Sequence, residues 1–77
     1  MDITTKTVTT AKGRQVVSVF SSEHVEGAEY INGKYLIGSY STGSKNGETH
    51  ITGKNPDQVN DGDAAITEIV RRAGLDT

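Results

Sequence analysis

Asn32-Gly33 stands between two short runs, Glu29-Tyr30-Ile31 and Lys34-Tyr35-Leu36. A two-residue link of this composition suits the primed turns, in which both central residues take positive φ and the turn twists with the strands it joins. The chain must therefore double back as a β-hairpin at this point, and everything else has to fit around an antiparallel pair.

The flanking segments extend that frame. Ile3 to Ala11 is rich in β-branched residues and reads as a strand. Lys12-Gly13 is a tight-turn dipeptide, and Arg14 to Ser22 follows as the second strand, with Val17 and Val19 on one face and Val16 and Phe20 on the other. Glu23 to Ala28 is polar and irregular and serves as a connection. Beyond the Asn-Gly turn, strict alternation over Lys34 to Tyr40 places Leu36 and Tyr40 on one face and Tyr35 and Ile37 on the other. Glu48 to Gly53 forms a last short strand.

After Lys54 the pattern changes. Asn55 and Pro56 offer one helix start, a cap followed by proline at the first helical position, and Asp61 or Asp63 offers a second. Ala65, Ile66, Ile69, Val70 and Ala73 lie on one helical stripe, Arg71 and Arg72 suit the last turn, and Gly74 ends it. The expected fold is a single α+β domain over residues 1–77. It has a small antiparallel sheet of four to five strands in two hairpins, over about 3–53, and one C-terminal helix over about 56–73, packed on one face.

Composition narrows the function. A 77-residue chain without cysteine has neither disulfides nor thiolate metal sites to reinforce a small core. The opening MDITTKTVTT lacks the apolar stretch of a signal peptide, and no apolar run approaches the roughly 18 residues of a membrane helix, so a cytoplasmic protein without a membrane partner is expected. Ten acids against eight bases argue against a dedicated nucleic-acid binder. The acids concentrate after residue 55, near the helix start.

Several patterns invite a chemical reading. Gly38-Ser-Tyr-Ser-Thr-Gly43-Ser44-Lys45 has the glycine spacing of a phosphate-binding loop, but serine and lysine are reversed and Asn46-Gly47 follows where a helix should begin. Hydrolysis of a nucleotide is not expected. A looser anion nest built from Ser41, Thr42, Gly43, Ser44 and Lys45 stays open as a site for a phosphorylated ligand. Asp57 to Glu68 matches a calcium loop at its first, fifth, sixth and last positions, yet Val59 stands where a ligand is required. His24 and His50 each have acids nearby but nothing brings them together. With no nucleophile elbow and no carboxylate pair, an enzyme is not expected, nor are a cofactor or a metal.

Tyr30, Tyr35 and Tyr40 surround the hairpin, with Lys34 beside them. An apolar body with a polar tip is common at protein interfaces, so these four residues are the expected partner-facing patch. The two best strands are apolar on both faces while one helix covers only one, so a second copy of the chain is the simplest cover for the other. The reading is a small non-enzymatic protein-binding module, homodimeric, acting by occupying a partner's surface. Small acidic cysteine-free chains are frequent among phage and mobile-element accessory proteins, inhibitors included. The alternative is a binder or sponge for a small phosphorylated ligand such as a nucleotide, held at the 38–47 loop.

Overall fold

The computed structural model describes residues 2–43, 48–53 and 55–75. Six strands, β1 (Ile3–Thr9), β2 (Gln15–Ser21), β3 (Glu29–Ile31), β4 (Lys34–Thr42), β5 (Thr49–Ile51) and β6 (Asp57–Val59), precede one helix, α1 (Gly62–Arg72). All pairings are antiparallel, in the order β1-β2-β4-β5-β6, with β3 pairing the first residues of β4 on the edge that β5 uses further along. The α+β architecture is the one that the hairpin signals imply, with β6 as an additional strand. Among the described residues, no helix is long and apolar enough to cross a membrane.

Local chemistry explains the turns. Asn32 and Gly33 take φ of 51° and 84°, the paired positive values that a primed turn needs. The β1–β2 link is longer than a Lys12-Gly13 dipeptide turn. Gly13 donates to the Thr10 carbonyl at 2.9 Å and takes a left-handed φ of 83°, after which Thr10 donates to the Arg14 carbonyl at 2.7 Å. That is a three-residue loop with a glycine bulge.

Two sequence expectations are corrected. The helix begins at Gly62, not near residue 56, because Asp57–Val59 pairs with β5 and Asp61 supplies the cap. The Asp61 carboxylate accepts from the Ala64 amide at 2.9 Å, which satisfies one of the free donors of the first turn. The second correction concerns alternation. Val19 pairs with Gly38 but Phe20 pairs with Leu36, so Ile37 is an extra residue in β4. A bulge shifts the face of everything beyond it, and Leu36 and Tyr40 end on opposite faces.

The core lies between the sheet and α1. Val17, Val19, Tyr40 and Ile51 are buried against Ala65 and Ile69, with Ile3, Ile37, Val59 and Ile66 packed around them. Gly38 is where the helix comes closest. A Cβ built there would sit 2.7 Å from Ile69 Cγ2, so the missing side chain lets α1 rest directly on β4. The far end of the helix is tied back to β6. Arg72 donates to the Asn55 carbonyl at 2.7 Å and lies 3.6 Å from the Asp57 carboxylate.

Candidate functional site: the helix-free face of the sheet

The pairing registers set out the face that α1 leaves open. One cross-strand row runs Thr4, Phe20, Leu36, Glu29, and another runs Val8, Val16, Ser41, His50, Gln58. Lys6, Ser18 and Ser39 lie between them. Val8 is 55% exposed, and Val16, Phe20 and Leu36 are only half-buried. Near Phe20 the surface dips into a groove of about 200 Å³. Phe20 and Ile31 are its apolar lining, and Thr4, Thr5, Lys6, Asn32 and Lys34 complete it. The groove exists because β1 and the β3–β4 hairpin flank β2 and the start of β4, so residues distant in sequence meet there.

The four residues read from sequence as one patch do not form one. Tyr30 and Tyr35 are directly paired across β3–β4, with ring centroids 4.9 Å apart, and Tyr30 is 63% exposed. Tyr35 also takes the His24 ring edge-on at 5.1 Å. This aromatic corner shares the row of Ile3 and Ser21, on the side of the sheet that carries the helix. Lys34, one residue from Tyr35, points to the opposite side and belongs to the groove. Tyr40 is a core residue, 8% exposed, under the start of α1. Burial, and then the nearby negative charge of Asp63, raise its hydroxyl above the usual tyrosine range.

The 38–47 stretch is also divided. Gly38 to Thr42 belong to β4, so Ser41 and Thr42, being consecutive in a strand, face opposite sides of the sheet. They cannot converge on one anion. Ser41 is buried between Val16 and His50, and the Thr42 hydroxyl accepts from Thr49 at 3.2 Å. Gly43 turns away with φ of 88°. Ser44 and Lys45 lie outside the described residues.

The remaining chemical patterns resolve into structural roles. Asp57 sits in β6, Asp61 caps α1, and the Glu68 carboxylate accepts from Arg71 at 2.6 and 2.8 Å and from Arg72 at 2.8 Å. A calcium loop has no geometry there. Those hydrogen bonds, first from Arg71 and then from Arg72, lower the Glu68 carboxyl to about 2. His50 meets Glu48 at 3.0 Å on β5, while His24 belongs to the tyrosine corner. Among the described residues no three His, Asp or Glu side chains cluster as metal ligands would.

The sequence reading placed Phe20 on the strand face opposite Val17 and Val19, and Lys34 in a partner-facing patch, but missed Thr4, Lys6 and Ile31 as their neighbours. The signal was the strand order, since only with β1 and β3 on either side of β2–β4 do those residues meet. Comparison with known proteins finds no family model that matches the chain, no similar curated protein and no similar solved structure.

Proposed function

We propose that this chain is a small non-enzymatic protein-binding module that self-associates and acts by occupying a partner's surface. The observation that carries this reading is the helix-free face: a half-buried Phe20 and Ile31 between Lys6 and Lys34, with no described element laid over them. An apolar lining beside two lysines suits an acidic partner segment that inserts one apolar side chain. The chain carries a net charge of −2, so this basic pair is a local feature against an acidic whole. Occlusion of this kind needs a surface and no chemistry, which fits an inhibitor or accessory protein.

A photo-reactive side chain placed at Lys34 tests the reading in a lysate of the source cells. A discrete adduct is expected from that position and none from the same group at exposed Thr67 on α1. Lys6→Glu should remove the adduct. Equal labelling from both positions, or an adduct indifferent to Lys6→Glu, would refute the groove as the binding surface.

A further inference from the structure

The two ends of the sheet are finished differently. At one end, β6 is three residues long, follows Pro56, and is bound by Arg72 through the Asn55 carbonyl and the Asp57 carboxylate. Short length, a proline and an attached side chain are the usual ways in which a sheet edge is closed to further pairing. At the other end, β1 runs seven residues without proline, with Lys6 as its only charge.

Backbone hydrogen bonds show which groups on β1 are not paired with β2. Ser22 donates to the Asp2 carbonyl at 3.1 Å, and Thr10 to that of Arg14 at 2.7 Å. Bonded pairs alternate in an antiparallel ladder, so Asp2, Thr4, Lys6, Val8 and Thr10 turn their amide and carbonyl groups toward β2. Ile3, Thr5, Thr7 and Thr9 then turn theirs outward, along an edge whose side chains from Thr5 to Thr9 are exposed. A row of donors and acceptors at every second residue, unpaired among the described residues, is a template for another strand.

We infer that two copies of the chain join edge to edge through β1, antiparallel about a two-fold axis at Thr5. This deepens the self-association in the reading above. In this register Thr5 faces Thr5 of the second copy, and Ile3 faces Thr7, so that outward backbone groups meet outward backbone groups. The register one step along is disfavoured because it would place Lys6 directly opposite Lys6, a like-charge pair. With Thr5 on the axis, Lys6 instead faces Thr4 of the second copy, and its two diagonal neighbours there are Asp2 and Lys6, so the like charges leave direct opposition and an opposite charge comes within reach of a long side chain. The two-fold axis stands perpendicular to the sheet, so both helices lie on one side and both helix-free faces on the other. Thr4, at the wall of each groove, then has Lys6 of the second copy beside it, and the two grooves become one continuous trough flanked by lysines.

The absence of cysteine makes the register testable. Across the axis the Thr5 Cα atoms would lie about 5.5 Å apart, whereas the Thr7 pair is offset by four residues along the strands, roughly 14 Å at strand rise. Thr5→Cys should form a covalent dimer with a short thiol crosslinker, and Thr7→Cys should not. Sedimentation equilibrium should show the unmodified chain as a dimer at tens of micromolar and Thr5→Pro as a monomer with an unchanged circular dichroism spectrum. The Thr5 amide faces away from β2, so proline there spares the internal ladder. Should Thr5→Pro fail to fold, Thr5→Lys serves instead, since it sets two lysines opposite each other on the axis. A monomeric unmodified chain, a dimeric Thr5→Lys or Thr5→Pro, or crosslinking of Thr7→Cys as readily as Thr5→Cys would each overturn the proposal. A dimer that survives these substitutions while the Lys34 adduct persists would discard the edge and keep the groove; the reverse pattern would discard the groove and keep the edge.

Discussion

The two faces of the sheet start from nearly the same sequence material and end in different states. In β2, Val17 and Val19 alternate with Val16 and Phe20, yet the first pair is buried and the second only half-buried. The difference comes from the core built on the side that carries α1, where Val17 and Val19 join Tyr40, Ile51, Ala65 and Ile69. Apolar alternation on both faces thus specifies a strand that can be covered twice, and the single helix decides which side holds the fold together. Ile69→Ala and Phe20→Ala set the two sides against each other. Ile69 is fully packed in the core, and its truncation should cost about 2–5 kcal/mol in urea unfolding. Phe20 is the larger side chain, but it stands on the open face and should cost less. Equal losses at low protein concentration would mean that the open face is covered within one chain, and the contrast between the faces would collapse.

Gly38 sharpens the same comparison from the sheet side. Adding one methyl group there drives it to 2.7 Å from Ile69 Cγ2, on a β-branched side chain with little rotameric freedom. Gly38→Ala should therefore destabilise by about 1–3 kcal/mol, despite the ordinary preference of strands for alanine over glycine. Ile69→Val in the same chain should recover part of that loss by trimming the side chain that the new methyl group meets. An undiminished loss in the double variant would locate the strain elsewhere.

That glycine also marks the limit of what could be read from sequence. The hairpin at Asn32-Gly33, the two-faced strands and the helical stripe from Ala65 to Ala73 rest on local chemistry, and all are present. Gly38 looked like the first glycine of an anion loop because its real constraint, a helix residue 31 positions later, is not local. The bulge at Ile37 is equally invisible: nothing in Lys34 to Tyr40 announces an extra residue, yet it sets Leu36 and Tyr40, expected on one face, on opposite ones. The groove was half legible. Alternation separated Phe20 from Val17 and Val19, and Lys34 was recognisable as a surface group, but their meeting with Lys6 and Ile31 depends on the order β1-β2-β4-β3 at that end of the sheet. The helix start shows a competition between two adequate signals. Asn55-Pro56 and Asp61 both suit a first turn, and pairing of Asp57–Val59 with β5 decides for the second. Asp61→Ala should then cost about 1 kcal/mol, while Asn55→Ala should leave helix content unchanged. A larger effect at Asn55 than at Asp61 would return the start to the earlier position.

The smallest effect belongs to the outer side of the helix, where charge and not packing is at work. Glu68 is held at about 2 by Arg71 and Arg72, against an ordinary value of 4.5. A carboxyl group depressed in the folded state adds stability that is fully present above its unfolded value and disappears as the pH falls through the folded one. Unmodified protein and Glu68→Gln should therefore differ most above pH 4.5 and converge near pH 2 when urea midpoints are compared across that window. The other acids titrate in both proteins and cancel in the difference. Because Arg71 is well exposed, the gap should be modest and should shrink in high salt. A gap that ignores pH would assign the contribution of Glu68 to its hydrogen-bond geometry alone. A gap that ignores salt would place the pair in a drier setting than the outer side of α1 provides, and would weaken the distinction between a side of the molecule held by packing and one held by solvated charge.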